Sequence, residues 1–222
     1  MDDRQNKLLR AIIERYIQTA EPVASAEVLE LSDLGVSPAT IRNEMMELEH
    51  LGYLIQPHIS AGRVPTLEGF HYYIDNLMED RELERRSYRA LSRAHGYGWR
   101  QLAREIAQMS DGTAFIAREG DEYYVAGLGR LLAQPEFRLN SSPLIEAAEL
   151  MDQLERVVPD FFDHYQEEPT VLLGRENPFG DYCSTVIATR HGSQEIVMGV
   201  ITPVRSNYAR TISVIEEVMK LL

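Results

Sequence analysis

Residues 38–46 place hydrogen-bonding and cationic side chains on one face of a predicted helix. Ile41, Met45 and Leu48 recur at helical spacing and predict one apolar face. The opposite face carries residues that are small, neutral or cationic: Pro38, Ala39, Arg42, Asn43 and Met46. Arginine can donate two hydrogen bonds to guanine, asparagine can pair with adenine, and alanine or proline can contact a thymine methyl group. This face therefore suits the major groove of DNA, although an ordinary solvated helix face is the alternative.

The start of this helix and the residues before it fit a known arrangement. The hydroxyl of Ser37 can accept a hydrogen bond from an unpaired N–H, and Pro38 fits the first helical position. Upstream, residues 4–19 carry apolar side chains at helical spacing, and a second short helix is predicted over 24–31. Two helices, a tight turn and a third helix are the pattern of a helix-turn-helix DNA-binding domain.

A predicted hairpin follows the third helix. Residues 53–56 and 63–65 are strand-like, and the loop 57–62 between them contains the glycine and proline of an exposed tip. Arg63 at the base of this wing is placed to enter a minor groove, where negative potential favours a guanidinium. An ordinary hairpin with one solvated arginine is the alternative for the wing taken alone. The DNA-contacting residues that we predict are Ser37, Pro38, Ala39, Thr40, Arg42, Asn43, His58, Ser60, Gly62 and Arg63.

The charge of the chain is an objection to DNA binding. Its 22 lysines and arginines stand against 35 acidic residues, a net charge of −13 over 222 residues, whereas phosphate binding requires cations. However, residues 34–43 and 51–67, the two segments predicted to face DNA, contain no acidic residue. Glu44, Glu47 and Glu49 come later in the helix and are expected to point away from the bases. Binding should therefore depend on base contacts and on two subunits that bind an inverted repeat.

Two long stretches of the chain are specific enough to compare with known families. They are YIQTAEPVAS, residues 16–25, and ATIRNEMMELEHLGYLIQPHISAGRVPTLEGFHYYID, residues 39–75. Both resemble the winged-helix signature of the HrcA heat-inducible transcription repressors, and weaker similarities continue at 125–128 and 174–177. The resemblance implies a winged helix-turn-helix domain followed by a GAF-like domain. It also implies a homodimer that blocks transcription of chaperone genes at an inverted repeat of double-stranded DNA, with activity modulated by a GroE-type chaperonin.

The remainder of the chain predicts a domain of mixed strands and helices. Strand-like runs at 113–118, 123–128, 170–173, 182–189 and 195–202 are interspersed with helices near 99–109, 144–157 and 206–222. Because strands and helices do not alternate regularly, we expect an α+β fold with an antiparallel sheet. With the resemblance, this predicts a winged helix-turn-helix domain at 1–78, a helical linker at 79–98 and a GAF-like sensor and dimerisation domain at 99–222.

Arginines recur at every fourth position of the predicted linker, at residues 81, 85, 89 and 93. This spacing lines one side of a helix and can reach a phosphate backbone or an acidic partner surface. Solvation of an exposed linker helix explains the same spacing.

Catalytic, metal and cofactor motifs are missing from the sequence. The six histidines are scattered without ligand spacing, and Cys183, in a predicted strand, fits a small buried hydrophobe. Residues 175–177 follow a strand end, where a ligand contact and a polar turn are both consistent. One cysteine, no secretory signal and no membrane-length apolar run predict a cytoplasmic protein without a membrane partner. The predicted DNA binding adds association with the nucleoid. We therefore expect a repressor rather than an enzyme, without cofactor or metal. A one-component regulator that responds to a small ligand is the alternative.

Overall fold

A computed structural model of the protein describes residues 1–31, 35–79, 82–118, 122–138, 149, 154 and 156–222. The chain divides into two compact units, Met1–Glu79 and Asp80–Leu222. Within the described residues, no helix has both the length and the apolar character that crossing a membrane requires.

The first unit has the winged-helix order of elements that the sequence predicts. Its described elements are α1 (Asp3–Thr19), α2 (Ser25–Leu31), α3 (Pro38–His50), β1 (Leu54–Ile55), β2 (Val64–Pro65) and α4 (Leu67–Asn76). β1 and β2 pair antiparallel, with Leu54 opposite Pro65, and form the strands of the wing. The apolar faces of α1 and α3 supply the core, since Leu8, Ile12 and Ile41 are fully buried. The winged-helix class is thus confirmed.

The second unit is an α+β domain, as predicted. Its described elements are α5 (Arg85–Gly96), α6 (Trp99–Ser110), β3 (Thr113–Arg118), β4 (Glu122–Ala126), α7 (Leu128–Leu132), α8 (Pro135–Arg138), α9 (156–164), β5 (Thr170–Leu173), β6 (Cys183–Arg190), β7 (Ile196–Pro203) and α10 (Tyr208–Leu221). The five described strands form one antiparallel sheet in the order β4-β3-β7-β6-β5. The helix predicted near 144–157 lies mostly outside the described residues.

Helices cover both faces of this sheet, which explains why β7 is buried at every position. On one face, Phe115 of β3 packs with Phe161 and Phe179 in the main apolar cluster. The other face packs against α6 and α10. Phe115 lies opposite Gly199 of β7, where a Cβ atom would come within 2.4 Å of the phenyl ring. The glycine therefore makes room for the aromatic side chain.

The segment that we expected to be a linker between domains is helical over α5. Leu91 and Ala94 of α5 are buried, and the helix packs against α6 and α10. The apolar face of α5 therefore makes this helix part of the second unit.

Candidate DNA-binding interface

The first turn of α3 forms as the sequence predicts. The Ser37 side chain accepts a hydrogen bond from the Thr40 N–H at 3.2 Å, and the two hydroxyl groups lie 2.9 Å apart. Pro38 occupies the first turn, where its missing N–H leaves no unpaired donor. The cap therefore fixes where the helix begins, and with it the rotation of the residues that follow.

The apolar face of α3 directs the predicted reading residues to the surface. Ile41 and Leu48 are fully buried, and Met45 retains 3% exposure. The opposite face is exposed at all five predicted positions: Pro38, Ala39, Arg42, Asn43 and Met46. Among the described residues, Arg42 forms no ion pair. Its guanidinium is thus available to a base edge or a phosphate.

Each of the three carboxylates of α3 contacts a side chain within the first unit. Glu44 is 95% removed from solvent and pairs with Arg4 of α1. Glu47 accepts a hydrogen bond from the Gln5 amide at 3.0 Å. Glu49 lies 2.9 Å from the Arg63 guanidinium. Each carboxylate of α3 thus has a partner in the first unit, and Glu44 is removed from the exposed face of the helix.

The wing loop is held by a residue that the sequence analysis did not single out. The Gln56 side-chain amide donates to the backbone carbonyls of Ile59 and Ala61, each at 3.0 Å. His58, Ile59 and Ser60 form the tip, and Ile59 is 99% exposed. The exposed Ile59 side chain suits deoxyribose and base edges better than phosphate groups.

The structure gives Arg63 partners within the first unit. We expected its guanidinium at the surface, ready to enter a minor groove, but its side chain is only 12% exposed and is paired with Glu49. Its backbone also exchanges two hydrogen bonds of 2.9 Å with Val23. Arg63 therefore lies where the wing meets both α3 and the segment before α2, and it also lines the cleft between α3 and the wing. Its contact with DNA stays a prediction.

Gly62 also supports the base of the wing. A Cβ atom at this position would lie 2.3 Å from the Val23 carbonyl oxygen, so only glycine allows this close approach of the two backbones.

The wing and α3 border a common cleft of about 430 Å3. Arg42 and Met46 line it from the helix, and Ile59 and Ser60 line it from the wing. The structure thus brings the two predicted surfaces together. Gly62 and Arg63 also line it, whereas Ser37 at the cap of α3 and Pro38 and Asn43 on the helix are exposed but lie outside the lining.

The sequence contains a signal for the burial of Glu44. Positions 41, 44, 45 and 48 share one helix face, so Glu44 falls between Ile41 and Leu48. A carboxylate on an apolar face requires a cationic partner.

Within the described ranges, no group of three or more His, Cys, Asp or Glu side chains is placed to hold a metal ion.

Comparison with known proteins agrees with this geometry. The model of the winged helix-turn-helix transcription repressor, HrcA DNA-binding domain, matches residues 1–76, and the HrcA C-terminal domain matches residues 41–212. The chain belongs to the HrcA family. The heat-inducible transcription repressor HrcA of Pelotomaculum thermopropionicum is 46% identical over 123 residues, which cover 52% of this chain and 35% of that protein. HrcA of Symbiobacterium thermophilum is 48% identical over 124 residues, 53% of this chain and 36% of that protein.

These alignments span only about a third of the length of the HrcA relatives. A solved structure of a hypothetical protein has the same fold over nearly the whole chain. Its TM-score is 0.81 at 21% identity, and the match covers 99% of this chain and 97% of the other. The arrangement of strands and helices described above is thus shared with an experimentally determined structure.

Proposed function

We propose that this protein represses transcription of heat-shock chaperone operons by binding an inverted-repeat operator as a homodimer. The observation that carries the proposal is the exposed face of α3, where Arg42 and Asn43 are open to solvent and Arg42 forms no ion pair among the described residues. Arg42 would donate to guanine and Asn43 would pair with adenine, each contributing about 1–3 kcal/mol of discrimination. Bound there, the protein excludes the transcription machinery from the promoter.

The wing extends this surface over the adjacent groove. Ile59 and Ser60 share a cleft with Arg42, and Gln56 fixes the loop that carries them. Arg63 also lines this cleft, and because it pairs with Glu49 we expect it to support the wing and to contribute less to DNA contact than Arg42. In this arrangement α3 provides specificity, and the wing tip packs against sugars and base edges.

Dimeric binding follows from the charge of the first unit. It contains six lysines and arginines against thirteen acidic residues. Phosphate attraction to a single unit is therefore weak, whereas two units on an inverted repeat bind with the combined affinity of both half-sites. Light scattering with and without operator DNA tests this step, and a chain that stays monomeric in both conditions contradicts it.

Base reading is tested with the two central side chains. We would select an inverted repeat from random duplex DNA with the wild-type chain, then titrate Arg42→Ala and Asn43→Ala against it and a scrambled duplex. Each variant should lose about 5- to 150-fold in discrimination between the two duplexes. Arg100→Ala removes the same charge from an exposed position of α6 and should retain discrimination. Undiminished discrimination by both α3 variants would contradict the proposal.

Chaperonin control is the second part of the proposed function. The matched relatives are named heat-inducible repressors, which fits a protein that loses activity when heat diverts a GroE-type chaperonin to other unfolded chains. Heat-treated protein should regain operator binding when chaperonin and ATP are added, and not with ATP alone. Equal recovery in both samples would remove the chaperonin from the proposal.

A second candidate is a one-component regulator whose second unit binds a small ligand. An arginine-lined cleft between helices of that unit favours it. Thermal stabilisation by an anionic metabolite, together with indifference to chaperonin, would support this alternative.

A further inference from the structure

Helices α5 and α6 carry a concentration of arginine that the DNA-reading surface does not use. Residues 85–104 contain six arginines and no acidic residue, in a chain of net charge −13. Among the described residues, none of these six arginines forms an ion pair. Like charges at neighbouring helical positions repel one another. An anion bound among them relieves that repulsion.

Three of these arginines line one cleft. Arg86, Arg89 and Arg93 are spaced three and four residues apart along one side of α5. The cleft has a volume of about 610 Å3, and Arg210 of α10 also lines it. Glu105 of α6 is the one carboxylate among the described lining residues. The described lining of the cleft therefore carries four guanidinium groups from two helices and one carboxylate.

We propose that this cleft, which we call the arginine cleft, binds an anion that carries two or more phosphate groups. Guanidinium groups donate paired hydrogen bonds whose geometry matches phosphate oxygens. The volume lies in the range of small-molecule sites, about 300–1,000 Å3. Because Glu105 offsets only part of the positive charge, a multiply charged anion fits better than a monocarboxylate.

Two sources can supply this chemistry. One is a free polyphosphorylated small molecule, and the other is the phosphodiester backbone of DNA. Both present successive phosphate groups to the four guanidinium groups, and the experiment separates them.

The choice of residues for the test follows from the surroundings of the cleft. Arg210 also lines a second cleft, of about 260 Å3, together with Glu82 and Glu84. Its substitution would therefore alter two sites. Arg89 and Arg93 line the arginine cleft and are exposed, so their replacement leaves the apolar packing of α5 intact.

Isothermal titration of the full chain with sodium tripolyphosphate tests the free anion. Anisotropy titration with a scrambled duplex tests the DNA backbone. The cleft variant is Arg89→Gln with Arg93→Gln. The matched control, Arg100→Gln with Arg104→Gln, removes two exposed arginines of α6 that lie outside the cleft lining. Thermal unfolding curves check that both variants remain folded.

We expect the cleft variant to bind tripolyphosphate at least about 10-fold more weakly than wild type, and the control to stay within about 2-fold. The DNA backbone is identified as a source if the cleft variant loses affinity for scrambled DNA and its binding releases about one to two fewer counterions. Unchanged DNA affinity beside lost tripolyphosphate binding identifies the free anion. If neither ligand distinguishes the cleft variant from the control, the proposal is overturned.

Neither probe contains an operator sequence. Because Arg42 does not line the arginine cleft, Arg42→Ala should leave the tripolyphosphate affinity within about 2-fold of wild type. Failure of operator recognition and failure of the arginine cleft are thus separate results.

Discussion

The cations of the first unit and the arginines of α5 and α6 in the second unit differ in their partners. In the first unit, four of six lysines and arginines pair with carboxylates, and within the described residues only Lys7 and Arg42 do not. In the second unit, none of the six arginines of 85–104 pairs with a carboxylate of the described chain. Most cations of the first unit are therefore paired within it, whereas the arginines of α5 and α6 in the second unit are exposed and form no ion pair among the described residues.

This difference separates two kinds of binding. Attraction to phosphate is independent of sequence, and it grows with the number of unpaired cations. A DNA-binding unit with few such cations holds random DNA weakly, so base contacts determine a larger share of its affinity. A surface rich in unpaired arginine binds anions without distinguishing sequences. The following changes test whether the two roles are separate.

Gly62→Ala should have the largest effect on DNA binding. The added Cβ atom would meet the Val23 carbonyl oxygen at 2.3 Å, so the base of the wing must shift. Such overpacking costs about 1–3 kcal/mol, which corresponds to about 5- to 150-fold in operator affinity if the wing is displaced. Gly96→Ala, where nothing lies within 4 Å, is the control in the second unit. Wild-type operator affinity in Gly62→Ala would show that the wing does not contribute to binding.

Arg4→Met should destabilise the first unit. It leaves Glu44, which is 5% exposed, without its cation, and the Oε2 atom of Glu44 has no hydrogen-bond partner among the described residues. We expect a loss of about 1–3 kcal/mol in the free energy of unfolding, measured by urea denaturation.

The double variant Arg4→Met with Glu44→Met should recover most of that loss, because neither charge then remains unpaired. Arg100→Met, at an exposed and unpaired position of α6, should change stability by less than about 0.5 kcal/mol. A single Arg4 variant as stable as wild type would mean that Glu44 does not depend on Arg4.

Arg63→Ala tests whether Arg63 supports the wing or contacts DNA directly. Loss of its 2.9 Å ion pair with Glu49 loosens the wing, so we expect operator affinity to fall by about 3- to 10-fold. Discrimination between operator and scrambled DNA should fall less than in Arg42→Ala, and the salt dependence should stay as in wild type. A salt dependence lower by about one ion would instead show that Arg63 reaches a phosphate.

Local signals made α3 predictable from the sequence. Ser37 and Pro38 fix the start of the helix, and the spacing of Ile41 and Leu48 fixes the face that is buried. Both signals act within one turn or two of helix, so no tertiary information was needed to place Arg42 at the surface. The same spacing also indicates that Glu44 lies on the buried face of the helix.

The role of Arg63 could not be predicted in this way. Its pairing with Glu49 forms only after the hairpin has folded back onto α3, and no periodic pattern records that contact. The lining of the arginine cleft likewise depends on contacts that form only when the helices pack together. Spacing indicated Arg85, Arg89 and Arg93, but packing of α5 against α10 determines that Arg86 lines the cleft and Arg85 does not.

The smallest expected effect concerns a cation that the second unit does pair, at the turn between β6 and β7. A hydrogen bond to the Glu195 carboxylate and one to the Tyr165 carbonyl, each 3.2 Å long, raise the pKa of His191 above its ordinary value. Folding therefore favours the protonated ring. The resulting stabilisation is complete below about pH 6.5, the ordinary value, and is lost as the pH rises through the raised pKa.

Glu195→Gln should lower the pKa of His191 in an NMR titration of its ring protons, whereas Glu168→Gln, an exposed change nearby, should not. The effect on melting temperature should be slight, because the imidazole and the carboxylate are both exposed to solvent. An unchanged titration in Glu195→Gln would mean that this turn leaves its cation unpaired in solution. The contrast between the paired cations of the first unit and the unpaired arginines of α5 and α6 would then extend to this turn.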